Sequence, residues 1–285
     1  FRPERITSVY LGGGTPTALP PSALSQILHQ IRKAFPIEPD AEITVEASFD
    51  SVSEPILAQL KQAGFTRISF GLEAVDASQL HRLGRPSLTK DITSLLDTTR
   101  RAGFTDINLD LMYGLPAQSL PSWQESVEAT LAAHPAHVST YALTIEEGTP
   151  FHQTLSDGTL ALPDESLVLE MADAAHARLT SAGFVHYELS NYARPAHLSR
   201  HNMHYWTDHD VLGLGPSAHS HLGAYRFSNI PDVGLYASAV ATGFLPIAES
   251  AHLTANEAAR DQLIFGLRLT GGIPSPLISR DGMPP

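Results

Sequence analysis

Gln62-Ala-Gly-Phe-Thr-Arg-Ile-Ser-Phe-Gly-Leu-Glu73 is followed by Arg101-Ala-Gly-Phe-Thr-Asp-Ile-Asn-Leu-Asp-Leu-Met-Tyr-Gly-Leu-Pro116. A third Ala-Gly-Phe stands in Ser181-Ala-Gly-Phe-Val185. Each ends a stretch of helical periodicity and leads directly into an apolar run. A glycine there can take the left-handed backbone conformation that closes a helix, and the phenylalanine can pack back over the last turn. Strand candidates follow the same rhythm: Ser8–Leu11, Ile43–Ala47, Arg67–Leu72, Ile107–Met112 and His137–Leu143. Between them Ala23, Leu24, Ile27, Leu28 and Ile31 recur at helical spacing behind Pro20-Pro21, as do Ile56, Leu57 and Leu60, then Ile92, Leu95 and Leu96, then Trp123, Val127 and Leu131. Strands alternating with helices predict parallel βαβ units, in a sheet that is either doubly wound or closed into a barrel.

At 285 residues the chain can bury a full core. It has no run of apolar residues long enough for a membrane span. The formal charge of -12 argues against binding to phosphate backbones, which depends on Lys and Arg displacing counterions, so nucleic acid is not an expected partner. The absence of cysteine excludes disulfides, cysteine nucleophiles and any iron–sulfur cluster ligated by this chain's own thiolates.

The predicted strands read as near-continuous apolar runs with polar groups at their C-terminal ends: Gly12-Gly-Gly-Thr-Pro16, Glu46, Glu73 and Asp110. In α/β proteins that edge is where ligands bind. Buried carboxylates there require partners, either a polar ligand or cations such as Arg85; capping of helix N-termini is the structural alternative. The glycine run lacks both the Gly-Lys-Ser/Thr ending and the Gly-x-Gly-x-x-Gly spacing of nucleotide phosphate loops.

From about Pro163 the regularity changes. Leu167, Met171, Ala174, Ala175 and Leu179 predict another helix, and a last one surrounds Ala258–Leu269. Between them six of the fourteen histidines fall from His197 to His221, among Tyr, Trp and Gly. Neutral imidazole is a common ligand for metals and heme iron, although a loop-rich surface can also be rich in histidine. The reading is therefore a barrel over 1–160, an extension over 161–270 and a tail over 271–285.

Taken together, Tyr10-Leu-Gly-Gly-Gly-Thr-Pro-Thr17, Glu42-Ile-Thr-Val-Glu-Ala47, Arg67–Glu73, Leu83-Gly-Arg85, Asn108–Pro116 and Tyr141-Ala-Leu-Thr-Ile-Glu146 resemble the radical S-adenosylmethionine proteins of the oxygen-independent coproporphyrinogen III oxidase family. Glu188–Pro195, His201-Asn-Met-His-Tyr-Trp206 and Leu212–His219 are similar to its HemW-type heme chaperones, whose heme motif is His-Asn-x-x-Tyr-Trp. The resemblance implies an α/β fold, a partial (β/α)6 barrel that here lacks its first βα unit, followed by an α+β extension. It implies that Gly13, Gly14, Thr15, Glu46, Glu73, Arg85 and Asp110 contact S-adenosylmethionine. Heme iron would be held by His201, with Tyr205 and Trp206 against the macrocycle.

The family has glutamine where this chain has Glu73. Its Cys-x-x-x-Cys-x-x-Cys loop precedes the glycine run and has no counterpart here, so a [4Fe–4S] cluster is expected only in a longer protein, and this chain alone is not expected to be catalytic. The implied function is a cytoplasmic heme chaperone that passes heme to acceptor heme proteins, with homodimerisation as a further expectation. The alternatives are an oxidase-like radical enzyme of porphyrin biosynthesis and a metal-dependent hydrolase using His201, His204, His219 or His221.

Overall fold

A computed structural model describes residues 3, 5–86, 88 and 91–272. The chain divides into two compact units, one up to Leu198 and one from Ser199.

In the first unit the strands are β1 (Ile6–Leu11), β2 (Ile37–Ala47), β3 (Arg67–Glu73), β4 (Asp106–Tyr113), β5 (His137–Ala142), β6 (Val185–Glu188) and β7 (Asn191–Ala193). They form one sheet in the order β1-β2-β3-β4-β5-β7-β6. The first five are parallel, while β7 runs antiparallel to both β5 and β6. The mixed sheet curls into a half-barrel with helices on its outer side. These include α1 (Pro21–Ala34), α2 (Glu54–Ala63), α4 (Ile92–Arg101), α5 (Leu120–Ala132) and α7 (Glu165–Ser181), with the short α3 (Ala77–Arg82) and α6 (Pro150–Ser156) between them.

The three Ala-Gly-Phe junctions close their helices as expected. Gly64, Gly103 and Gly183 have φ of 103°, 99° and 86°. The following amides reach back five residues, Phe65 to the Leu60 carbonyl, Phe104 to Thr99 and Phe184 to Leu179, each at 3.2 Å. This pairing satisfies the last helical carbonyls, and all three phenylalanines are buried. Turn chemistry and core packing thus come from the same three residues.

Successive strand side chains point to opposite faces of the sheet. Ile43, Val45 and Ala47, then Ile68, Phe70 and Leu72, then Ile107, Leu109 and Leu111, with Val138, join helix residues such as Leu28, Leu57, Leu96, Trp123 and Leu179 in one core. The alternate residues are polar, so the strands are two-faced and not the near-continuous apolar runs expected. Register aligns Glu46, Ser69, Asn108 and His137 in one layer across β2 to β5, and Gly71, Asp110 and Ser139 in the next.

The first unit extends beyond the expected boundary at 160. The helix α7 packs on α5, with the Trp123 indole donating to the Met171 carbonyl at 2.7 Å, and β7 is hydrogen-bonded to β5. Residues up to 198 therefore share the first unit's sheet and core.

The second unit holds α8 (Arg200–Trp206), β8 (His219–Leu222), β9 (Tyr225–Asn229), α9 (Val233–Ala241), β10 (Ile247–His252) and α10 (Ala255–Gly266). The strands make an antiparallel sheet in the order β10-β9-β8, an α+β arrangement. Most of the expected tail, 273–285, lies outside the described residues.

Candidate functional site

In the first unit the carboxylates from the strand ends lie on the half-barrel's polar face. The Gly12–Gly14 turn follows β1, with Gly13 and Gly14 at φ of 86° and 63°. Open space surrounds the positions a side chain would occupy at both glycines. Glu46 Oε1 accepts from the Tyr10 hydroxyl at 2.7 Å, and Oε2 accepts from the Gly13 amide at 3.1 Å. The Glu46 carboxylate thereby ties the glycine turn to β2. Thr15 precedes the short 3-10 turn Pro16–Ala18, whose Thr17 hydroxyl donates to the Glu46 carbonyl at 3.4 Å.

Glu73 closes β3 at φ 62°, an uncommon backbone for a residue with a Cβ, and accepts from Arg85 Nη2 at 3.3 Å. Burial holds the Glu73 carboxyl above the usual range; Arg85 pulls it down, while Asp110 and Glu46 push it up. Asp110 is also raised by burial, against hydrogen bonds from Ser139, Asn108 and Ser69. Tyr10 is raised by burial and by the Glu46 and Asp110 charges. Three mutually repelling carboxylates thus share one edge, with Arg85 as the counterion that acts on Glu73.

The partners these buried carboxylates require include groups of the chain itself, Arg85 among them as the sequence suggests. Glu46 is held by Tyr10 and Gly13, Glu73 by Arg85, and Asp110 by the Ser69 hydroxyl at 3.0 Å and the Asn108 amide at 2.8 Å. Tyr10, Ser69, Asn108, His137 and Ser139 were absent from the expected site. Their signal is polar alternation: Arg67, Ser69, Gly71 and Glu73 on one strand, Asn108 and Asp110 on the next, His137, Ser139 and Tyr141 on the third.

The edge suits a small cationic ligand that also carries hydrogen-bonding groups. It does not suit an iron–sulfur cluster, since the chain has no thiol to ligate one.

In the second unit, Ser199 caps α8 by accepting from the Asn202 amide at 3.3 Å, which places His201 in the first turn. One turn on, the Tyr205 hydroxyl lies 3.2 Å from His201 Nε2 and the two rings meet edge to face at 5.2 Å. Tyr205 is 44% exposed, and burial of its hydroxyl end raises its pKa.

Trp206 packs toward α10. Its ring carries the Arg268 guanidinium at 4.3 Å and stands 6.3 Å from the Phe265 ring of α10. Its Nε1 is buried without a hydrogen-bonding partner among the described residues. The Trp206 ring also stands 6.2 Å from that of Tyr205, so it adjoins the His201–Tyr205 pair while packing against α10.

The other histidines separate. His204 stands ring to ring with His209 at 5.0 Å, His221 Nδ1 lies 3.4 Å from Asp208, and His219 is exposed on β8. Among the described residues no three His, Asp or Glu side chains are grouped so as to hold a metal ion, which removes the ligand set of the hydrolase alternative. Nor is any described helix long and apolar enough to cross a membrane.

Residues 1–130 match the model of the radical SAM superfamily. The chain is 36% identical over 269 residues to the heme chaperone HemW of Mycobacterium tuberculosis, covering 94% of this chain and 69% of that protein. It is 32% identical over 269 residues to the heme chaperone HemW of Bacillus subtilis, covering 94% of this chain and 71% of that protein. Among solved structures it resembles the coproporphyrinogen III oxidase HemN from Escherichia coli, a radical SAM enzyme, with a TM-score of 0.80 at 24% identity over 93% of this chain and 63% of that one. At that identity the likeness speaks for the half-barrel fold. Sequence identity to the chaperones over two thirds of their length, with the His201–Trp206 motif standing on α8, places the chain in the HemW-type heme chaperone family, on a radical SAM scaffold.

Proposed function

We propose that this chain binds heme as cargo through His201 and passes it to acceptor heme proteins. The observation that carries the reading is the His201–Tyr205 pair, one turn apart on α8 and joined through Nε2 at 3.2 Å. With the Tyr205 hydroxyl donating to Nε2, the imidazole proton sits on Nδ1 and the Nε2 lone pair, held by that hydroxyl, is the one available for ligation once it is released. Ligation of heme iron through that nitrogen requires the hydroxyl to withdraw, so Tyr205 holds the imidazole in the ligating tautomer until cargo arrives. The half-exposed Tyr205 ring offers apolar surface to a macrocycle, and Trp206, packed against Phe265 and Arg268, braces the helix from behind.

S-adenosylmethionine fits the acidic edge of the first unit. Bound there, it would supply a cationic sulfonium and an α-amine to an edge whose carboxylates otherwise repel one another. Gly13 and Gly14 leave room for backbone approach, Thr15 follows them, and Glu46, Glu73, Arg85 and Asp110 are the polar contacts. No step is derived through an iron–sulfur cluster, because the residues present do not fit one.

Hemin titration followed by the Soret band tests the cargo reading. The wild type is expected to give a saturable, shifted band and His201→Ala to lose it. Equal binding by both would remove His201 as the ligand. Tyr205→Phe should retain binding, since the hydroxyl must leave for ligation.

A further inference from the structure

We propose that His137 is a positioning residue for Asp110, acting through Asn108 by a one-way chain of hydrogen bonds that begins at Tyr187. The proposal deepens the reading of Asp110 as a contact for S-adenosylmethionine, and rests on it.

The direction of the chain follows from what each group can do. An ionised carboxylate only accepts, so the Asn108 group facing Asp110 Oδ1 at 2.8 Å must be its amide nitrogen, which also donates to Ser69 Oγ at 2.7 Å. Ser69 then has its own proton for Asp110 Oδ2 at 3.0 Å. With the amide so oriented, Asn108 Oδ1 faces His137 Nδ1 at 2.6 Å and accepts from it, with the Ser139 hydroxyl, shared with Asp110, 3.2 Å away. His137 must therefore carry its proton on Nδ1. Its Nε2, 2.8 Å from the Tyr187 hydroxyl, is left to accept.

The bonds from His137 through Asn108 to Asp110 cannot reverse without setting two donors or two acceptors against each other. His137 and Asn108 are buried, where such a clash costs most. Burial also holds the His137 imidazole neutral, which leaves Nε2 as the acceptor for the Tyr187 hydroxyl. In-register pairing of Ser69, Asn108 and His137 across β3, β4 and β5 brings the links together. The short strand β6 brings Tyr187 to the far end, which gives that antiparallel addition a role at the parallel strands' polar face.

The test follows the Asp110 carboxyl carbon by NMR during pH titration and, separately, S-adenosylmethionine affinity by calorimetry. In His137→Ala, Asn108 is free to turn. Asp110 is then expected to titrate at higher pH than in the wild type, having lost a donor to its charged form, and affinity is expected to fall about tenfold. In His137→Asn the new amide can stand where Nδ1 stood and donate to Asn108, so both values should return to within about threefold of wild type. A general packing role predicts no such rescue. An unmoved Asp110 titration in His137→Ala overturns the proposal.

Nitrogen spectra of the wild-type imidazole supply a measurement that needs no variant: an Nδ1–H tautomer supports the chain and an Nε2–H tautomer overturns it. Asp110→Asn separates the two readings. Unchanged affinity in that variant defeats the cofactor reading, while the relay is still decided by the titration and the tautomer.

Discussion

Replacing Glu73 by glutamine should make the first unit more stable at neutral pH, although it weakens an ion pair. Arg85 Nη2 and Glu73 Oε1 are 3.3 Å apart, which corresponds to a gross attraction of about 5 kcal/mol at an effective dielectric of 20 and about 1 kcal/mol in water. The Arg85 side chain is 50% exposed, so screening takes the pair toward the lower figure. Glu73 is 12% exposed, and its carboxylate bears the burial and the repulsion from Asp110 and Glu46. Those effects win, since its pKa is raised. Glutamine keeps an oxygen for Arg85, removes the charge and inherits the same φ of 62°, so the backbone strain cancels in the comparison. A gain in stability at pH 7 follows, seen as a higher Tm, with each 1 kcal/mol corresponding to about 2–4 °C for a unit of this size.

The pH dependence has a fixed sign. A carboxyl whose folded pKa exceeds its unfolded value, about 4.3 for glutamate, binds more protons in the folded state between the two. Its stabilising protonation is fully present below the unfolded pKa and is lost as pH rises through the folded one. The wild type should therefore fall behind Glu73→Gln progressively as pH rises from about 4.3 through the folded pKa. Thermal melts of both proteins from acid to neutral pH read this directly. A lower Tm for Glu73→Gln at pH 7, or a gap that does not change with pH, would refute the reasoning.

Other substitutions probe the scaffold. Gly64→Ala places a Cβ at φ 103° and 2.3 Å from Arg32 Nη2, and should cost about 1–2 kcal/mol in denaturant titration. Trp123→Phe removes the indole donor to the Met171 carbonyl from a fully buried site and should cost about 2–3 kcal/mol, seen as a lower denaturation midpoint. By contrast, Arg178→Ala breaks an exposed pair with Glu128 across the same two helices and should leave the melting curve unchanged within about 1 °C.

The βα order was legible because the three Ala-Gly-Phe junctions couple a local backbone requirement to core burial, so each announces itself without reference to distant residues. The polar lining was present in the sequence but obscured. Ile68, Phe70 and Leu72 drew the reading toward apolar strands, and the intervening Ser69 and Gly71 are small enough to pass as filler. What makes Ser69 important is Asp110, whose β4 position pairs with Gly71 while Ser69 pairs with Asn108, and only pairing in register reveals that. The strands β6 and β7, of four and three residues, carry too little periodicity to be read, and their antiparallel turn back onto β5 is a tertiary choice. The histidines between His197 and His221 illustrate the opposite case, because among the described residues their density in sequence brings no three ligating side chains together, only pairs such as His204 and His209.

The two candidate sites differ in how much the free protein can reveal about them. Burial and the charges of Asp110 and Glu46 work against the ionised form of Glu73, and burial works against that of Asp110, so both of these charges lower the stability of the empty fold. A packing role does not account for such an edge, because glutamine or asparagine would fill the same space with less repulsion; a cationic ligand does, since binding it turns the repulsion into attraction. The Glu73→Gln melt is therefore also a measurement of how strongly the free edge favours a cation. His201 has no equivalent signature. A half-exposed imidazole paired with a tyrosine hydroxyl costs the fold little and its removal should barely move Tm, so stability is silent about heme. For that site a functional assignment rests on ligand binding alone, and loss of the Soret shift in a His201→Ala protein that melts like wild type is the result that separates ligation from damage.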